Sequence, residues 1–198
     1  MSTTRSRGTS TRRSARDRVC YVALLRGVNV GKRQVLKDTL RDAFAHAGGR
    51  NVRTVIASGN VLFEASPGRA PAIVAAACTS LASILGAEPL VMLRTAREIA
   101  ALAGRGPFAE IDAPPIVKRY IVFLAVPPRR RPRLPVSDVD EALELVSISK
   151  RECWVVSGRK PNGWYGFPVA FVERVVGVEA SARSWSTVLK LAALMRQT

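Results

Sequence analysis

The apolar positions in the first half of the chain alternate between strand-like runs and helix-like spacing. A largely apolar run at 20–26 is typical of a strand covered by helices, and Leu36, Leu40, Phe44 and Ala47 recur at the spacing of one helix face. The pattern predicts a strand, a helix, a two-stranded hairpin, a helix and a strand at 20–26, 36–47, 52–57, 60–64, 71–85 and 89–94. This βαββαβ order is that of a ferredoxin-like α/β plait.

The second half is patterned less regularly. Thr95-x-x-Glu98 is a capping box for a short helix that ends near Gly104, and 118–126 is the longest predicted strand. Beyond a loop rich in proline and arginine, we expect a short helix capped by Ser137, two strands, a helix after Pro168 and a last helix capped by Ser184, at about 137–143, 144–150, 152–158, 168–176 and 184–195. The predicted fold class is α+β, with two ferredoxin-like α/β-plait units, the second less regular.

These patterns divide the chain into three segments. Residues 1–18 hold almost no apolar side chains, so we expect a disordered basic tail. An organelle transit peptide is the alternative, although the segment offers no apolar face for an amphipathic helix. Residues 19–94 form the first predicted unit, and residues 95–198 form the second, with its C-terminal helix.

Composition is that of a globular protein. The 198 residues are 47% hydrophobic, and no apolar run approaches the roughly 20 residues that span a bilayer, so we expect a soluble cytoplasmic protein with no membrane partner. Cys20, Cys78 and Cys153 are far apart and odd in number. That spacing favours buried apolar thiols over a disulfide framework or a metal site.

The charge is unusual for a chain of this size. The formal net charge is +16 at pH 7, and residues 1–18 carry six arginines against one aspartate, so the remaining body is basic too. Such an excess favours salt-dependent association with nucleic acid or another anionic surface. The alternative is compositional, because arginines outnumber lysines 25 to 6, as a GC-rich genome would produce whatever the function.

Three sequence blocks resemble one known family. They are Ala23-Leu-Leu-Arg-Gly-Val-Asn-Val-Gly31, Ala57-Ser-Gly-Asn-Val61 with Phe63, and Ala182-Arg-Ser-Trp-Ser-Thr-Val188 followed by Lys190-Leu191. The chain resembles the bacterial family called domain of unknown function 1697, in which the last block is more often Arg-Asn-Trp-Asn-Thr-Val, so that Ser184 and Ser186 replace two asparagines. The resemblance implies a two-part α/β-plait fold and no established reaction.

The loop after the first strand is a candidate anion site. Arg26, Gly27, Asn29 and Gly31 lie between a strand and a helix, where successive backbone N–H groups can hold an anion. The spacing matches neither the dinucleotide-binding nor the Walker motif, and glycines at such a turn often serve the turn alone.

Two further motifs supply candidate ligand contacts. Ser58, Gly59 and Asn60 lie at the predicted hairpin, whose turn chemistry also explains them without a ligand. Arg183 and Trp185 could clamp or stack on a base. The alternatives are a core position for Trp185 and a role at the interface between the units for Arg183.

Aromatic residues on two predicted strands raise a comparison with RNA-recognition motifs. Tyr21 and Phe63 occupy the strands that carry the stacking rings of those motifs, which share the βαββαβ order. The consensus sequences of those motifs are absent. We therefore predict that this sheet face is buried against the second unit.

Four arginines in the proline-rich loop, Arg129, Arg130, Arg131 and Arg133, are candidate phosphate contacts, with a solvated loop as the alternative. His46 is the only histidine, so a Ser-His-Asp or Cys-His system is not expected. No metal-binding spacing is present, and we predict no cofactor. Enzymatic activity is the less favoured interpretation.

The sequence favours a binding protein for an anionic ligand, either nucleic acid or a nucleotide. Its expected site is an inter-domain cleft lined by Arg26, Asn29, Ser58, Asn60 and Arg183. One alternative is an enzyme that holds a small phosphorylated or carboxylated substrate between Arg26 and Arg183. The other is a structural or partner-binding scaffold in which these residues tie the two halves together.

Overall fold

The computed structural model describes residues 18–28, 36–56, 59–106, 108 and 117–197, which form two antiparallel sheets and five helices. Residues 1–17, most of the predicted basic tail, lie outside the described residues. None of the helices in this part of the chain is long and apolar enough to cross a bilayer. The fold is mixed α+β.

The first sheet has four strands in the order β2-β3-β1-β4. They are β1 Val19–Leu25, β2 Arg50–Thr54, β3 Asn60–Ala65 and β4 Val91–Thr95, and the helices between them are α1 Lys37–His46 and α2 Ala70–Leu85. The element order is the βαββαβ order predicted from the sequence. Predicted and observed bounds differ by no more than a few residues, because apolar periodicity is strong in this half.

Both helices cover one face of the first sheet. Alternate residues of β1 and β3 point toward α1 and α2, and Tyr21 and Phe63 stack there with ring centroids 5.6 Å apart. The two rings are buried, as predicted. The helices cover them, however, and not the second unit, so the predicted covering partner is wrong.

The second sheet has five strands in the order β6-β7-β8-β5-β9. They are β5 Lys118–Leu124, β6 Val136–Asp138, β7 Leu143–Ile148, β8 Glu152–Ser157 and β9 Ala180–Ser184. Helix α4, Val169–Val176, packs on the outer face of this sheet through Phe171, Val172 and Val176. Since β6, β7 and β8 follow β5 without a helix, this sheet does not repeat the element order of the first.

Two elements of the second half differ from the prediction. The short helix capped by Ser137 is wrong: Ser137 lies in β6 opposite Glu144, and Asp138 Oδ1 accepts the N–H of Glu141, which turns the chain back. Strand β9 was not predicted, because its Ala-Ser-Ala-Arg-Ser sequence lacks apolar alternation. It forms on the edge of the sheet by pairing with β5.

A shared core lies between the two sheets. Helix α3, Ala96–Gly104, contacts β1 and β4, and α5, Trp185–Met195, contacts β5 and β9. The two helices also contact each other. The inner faces of both sheets meet them with buried apolar side chains: Val22, Leu24, Leu62, Met92, Ile121, Phe123 and Trp154.

Arg94 crosses this core from the first sheet to the second. Its side chain is 1% exposed, and Nε donates to Glu152 Oε1 at 2.9 Å. Nη1 donates to the carbonyl of Leu93, and Nη2 donates to the carbonyls of Leu124 and Arg151. Burial lowers the pKa of Arg94, partly offset by the charge of Glu152. The guanidinium therefore depends on these acceptors for its solvation.

We predict that Arg94→Ala destabilises the fold by about 3–5 kcal/mol, because it leaves Glu152 in a buried site without its cationic partner. Urea unfolding measures the effect. The control is Arg41→Ala, whose side chain is exposed and paired with Asp38 and Asp42 on α1, and it should change the urea midpoint little. Equal midpoints for the two variants would contradict an anchoring role for Arg94.

Glu98 adds a pH-sensitive contact at the same interface. Burial opposes its ionisation, but hydrogen bonds from Thr95 and Arg151 outweigh burial and lower the pKa of Glu98 from its usual 4.5. A carboxyl group whose pKa is lower in the folded state than in the unfolded state stabilises the fold at pH values above its unfolded-state pKa. This stabilisation is lost as the pH falls through the folded-state pKa. We expect Glu98→Gln to destabilise the protein at pH 7 and by less below about pH 4 in urea titrations. A destabilisation independent of pH would refute this.

Candidate functional site

Arg26 follows the end of β1 and forms an ion pair with helix α4. Its Nη1 lies 2.6 Å from Glu173 Oε1, and its Nη2 donates to Glu173 Oε2 at 3.0 Å. Glu179 Oε1 lies 3.7 Å from the same Nη1. The side chain is half-buried, and its charge is compensated by the carboxylates of Glu173 and Glu179. Asn29 and Gly31, from the same motif, lie outside the described residues, whereas Gly27 is exposed in the loop.

The hairpin turn between β2 and β3 packs against the end of β1. Gly59 has φ +68°, and a Cβ there would lie 3.3 Å from Leu25 O and from Val28 Cβ. The carbonyl of Gly59 accepts the N–H of Leu25 at 2.8 Å. These contacts favour turn geometry and close packing as the reason for this glycine. Ser58 lies outside the described residues.

Asn60 is buried at the same turn. Its Nδ2 donates to the carbonyl of Val55 at 2.9 Å, and its Oδ1 accepts from Nε of Arg183 at 2.5 Å. The amide therefore joins the hairpin to the second sheet. Its two polar atoms both have partners within the protein.

Arg183, on strand β9, has hydrogen-bond partners for its whole guanidinium group. The side chain is 7% exposed. Its five N–H bonds match five acceptors, namely Asn60 Oδ1, Ser181 Oγ and the carbonyls of Leu25, Gly59 and Ala182. Burial lowers the pKa of Arg183 to about 10. Three of the acceptors, in Leu25, Gly59 and Asn60, lie in or next to strands β1 and β3, so Arg183 ties the two sheets together.

Trp185 begins helix α5, immediately after β9. The residue is half-buried, its ring forms a T-shaped contact with Phe108 with centroids 5.5 Å apart, and it packs on the core between the sheets. Ser184 caps the helix as predicted, since its Oγ accepts the N–H of Thr187 at 3.3 Å. Ser186 Oγ lies 3.0 Å from Ser184 Oγ. Both serines that replace family asparagines thus lie at this helix start.

The arginine-rich loop lies beside the C-terminus of α4. The N–H groups of Arg129 and Arg130 donate to the carbonyl of Val176, and Arg131 Nη2 donates to the carbonyl of Ser149 at 3.1 Å. All four arginines of the loop, Arg133 included, are exposed. The negative end of the helix dipole gives Arg129 and Arg130 an electrostatic reason to lie there.

The structure brings together three arginines that are distant in sequence. Arg18, Arg50 and Arg69 line a concavity of about 370 Å³, which we call the basic concavity. Its remaining lining residues are Gly48, Glu64, Ala65, Ser66 and Ile73. The strand register creates it, because Val19 pairs with Ala65 and Arg50 pairs with Glu64. No local sequence signal marks this grouping, and sequence reasoning did not find it.

Two of the three cysteines are buried thiols with raised pKa values. Burial raises the pKa of Cys78 to about 11 and of Cys153 to about 12, so both thiols stay protonated near neutral pH. Within the described ranges, no three His, Cys, Asp or Glu side chains are placed to share a metal ion. His46 is exposed in the last turn of α1.

We predict strong energetic coupling between Asn60 and Arg183. Arg183→Ala removes five hydrogen bonds from buried acceptors, and should cost about 3 kcal/mol or more. The coupling energy of the two alanine substitutions, from urea unfolding of both single variants and the double variant, should exceed about 1 kcal/mol. Asn60 and Arg94 provide the matched control, since Asn60 bonds Val55 and Arg183 whereas Arg94 bonds Glu152 and carbonyls of Leu93, Leu124 and Arg151. Additive effects in the Asn60–Arg183 cycle would rule out the tie.

Comparison with known proteins gives a fold relative. No curated protein matches the chain. A solved structure, that of the conserved bacterial protein SP0830 from Streptococcus pneumoniae, is similar with a TM-score of 0.57 and 19% sequence identity. The alignment covers 90% of this chain and 99% of that protein. At this identity the likeness concerns the fold alone.

A family model matches residues 19–154. The match includes both N-terminal blocks and ends within β8, so the block from Ala182 to Leu191 lies beyond it. The matched region is well over half of the chain. The chain belongs to the family described as protein of unknown function (DUF1697).

Proposed function

We propose that this protein binds nucleic acid and that the basic concavity contacts its phosphates. The observation that carries the proposal is the convergence of Arg18, Arg50 and Arg69 around one concavity, where Glu64 is the one carboxylate among the described lining residues. Guanidinium groups pair well with phosphate oxygens, and one phosphate can accept from several of them. The proposed setting is the cytoplasm.

The three arginines have no ion pair within the described part of the chain. Glu64 Oε1 instead accepts from Asn51 Nδ2 at 2.8 Å. Like charges around one concavity repel one another, and an anion between them relieves that repulsion. Arg26 and Arg183, by contrast, already contact protein acceptors. We therefore propose the concavity, and not the predicted inter-domain cleft, as the phosphate-binding surface.

The adjoining sequence favours a polymer over a small anion. Arg18 continues directly into residues 1–17, which contain five more arginines and one aspartate. A series of cations along a chain matches the regular charge of a nucleic-acid backbone better than it matches one phosphate group. The exposed arginines at 129, 130, 131 and 133 are proposed as further positioning contacts.

The alternatives receive less support. An enzymatic clamp of Arg26 and Arg183 would need Arg183 to exchange protein acceptors for substrate, and each of its N–H groups has an acceptor already. A scaffold role suits the tie made by Arg183 but leaves the concavity unexplained.

We also infer that the first sheet, with both helices on one face, is a ferredoxin-like plait, and that residues 19–94 and 95–198 are the two units.

The proposal is tested by fluorescence anisotropy of labelled DNA and RNA with the full-length chain. Affinity should fall steeply between about 50 and 200 mM salt, by a decade or more for several phosphate contacts. The double variant Arg50→Gln/Arg69→Gln should weaken binding and lower the slope of log affinity against log salt by about 2. Single and double strands should be affected alike, because both present phosphates.

The matched control is Arg41→Gln, which removes an exposed arginine already paired with Asp38 and Asp42, and should leave binding nearly unchanged. If Arg41→Gln lost as much affinity as the double variant, the loss would be explained by net charge alone and not by the basic concavity. Absence of any oligonucleotide binding at low salt would reject the proposed function. A thermal shift with inorganic phosphate in that case would indicate a small-anion site instead.

A further inference from the structure

A short hairpin between β8 and α4 presents aromatic rings to solvent. Arg159 and Tyr165 form an isolated β-bridge, and the N–H of Lys160 donates to the carbonyl of Trp164 at 2.8 Å. The N–H of Gly163 donates back to the carbonyl of Lys160 and closes the turn. We call residues 158–167 the aromatic hairpin.

The aromatic hairpin is held firmly against the second sheet. Ser157 Oγ donates to the carbonyl of Gly166 at 3.0 Å, and Lys160 Nζ lies 3.1 Å from Glu141 Oε1. A Cβ at Gly166 would lie 2.1 Å from the carbonyl oxygen of Glu141, so only glycine fits this contact. The rings on the hairpin are therefore displayed from a fixed backbone.

Two of these rings are left largely in water. Trp164 is 75% exposed and Phe167 is 62% exposed, three positions apart. Phe167 meets Tyr120 edge-to-face at 6.0 Å, which orients its ring without covering it. Large rings exposed on a fixed backbone can stack on flat ligands. Because they bury little surface within the protein, they contribute little to its folding and indicate a binding surface.

The charges around the rings select the kind of ligand. Lys118 Nζ lies 4.3 Å from the centroid of the Tyr165 ring, and Arg159, also exposed, keeps its Nε on the carbonyl of Gly163 at 3.0 Å. Glu141 is already paired with Lys160. Flat rings beside surplus cations complement unpaired bases on a phosphate backbone. A purely apolar partner would gain nothing from the cations.

We propose that the aromatic hairpin stacks on the bases of single-stranded nucleic acid through Trp164 and Phe167. The proposal rests on the proposed function and narrows it, because only unpaired bases expose the faces that these rings need. The basic concavity then serves any strand, and the hairpin adds preference for single strands.

The test uses full-length protein and a labelled single strand of about 20 nucleotides, longer than the roughly 4–16 that one binding fold covers, beside its duplex. Trp164→Ala and Phe167→Ala should each weaken single-strand binding about 10-fold and change duplex binding by less than about 2-fold. Trp164→Phe keeps a ring and should stay within about 3-fold of wild type. Because both side chains are exposed, the variants should keep the wild-type melting temperature.

Val139→Ala is the matched control, since Val139 is 87% exposed, apolar and not aromatic, and it should leave both affinities unchanged. If the wild type binds both strands and the two alanine variants bind as wild type does, the hairpin inference is overturned while the proposed function stands. If the wild type binds neither strand, both fail. If Trp164→Ala instead abolishes self-association in sedimentation or binding to anionic vesicles, with single-strand affinity unchanged, the inference is also overturned.

Discussion

Two buried arginines that cross the interface in opposite directions fix the position of one sheet relative to the other. Arg94 extends from the first sheet to Glu152 and two carbonyls of the second, and Arg183 extends from the second sheet to Asn60 and two carbonyls of the first. Burying a guanidinium group costs free energy unless its N–H donors are paired. Each of the two arginines therefore fixes the position of backbone carbonyls on the opposite side of the interface. Apolar contacts in the core between the sheets are non-directional. Hydrogen bonds, in contrast, require a defined distance and angle.

That constraint determines which residues remain for ligands. Arg26, Asn60 and Arg183 lie where the carboxyl end of β1 meets α4 and β9, and their polar atoms form hydrogen bonds or ion pairs there. The basic concavity lies at the other end of β1, about 20 Å away along a seven-residue strand. The motif residues thus serve the architecture. Candidate binding chemistry lies at the periphery, on side chains that the interface does not use.

The parts of the fold that sequence predicted are those with local signals. The first strand, α1, α2 and the capped helix α5 follow from apolar periodicity and from Ser184. Strand β9 could not be predicted, because its edge position comes from pairing with β5. Nor could the sequence reveal that Arg183 is buried, since its acceptors are mostly carbonyls that no residue type marks. The basic concavity depends on the pairing of β1 and β2 with β3, which joins residues distant in sequence. Trp164 and Phe167, in contrast, lie close together in a segment rich in glycine and in lysine or arginine, and sequence reasoning missed them.

The excess of arginine over lysine has a different meaning at different positions. Arg183 makes five directed bonds and Arg94 makes four, but lysine has three donors on a single atom and could satisfy neither set of acceptors. At these two positions arginine is required by geometry, whatever the base composition of the gene. At Arg50 and Arg69 the proposed contact is between a positive side chain and a phosphate, and the ammonium group of lysine can also make such a contact. Genomic bias can thus explain the choice of arginine at the surface, while the buried pair requires a planar group with more donors than lysine has.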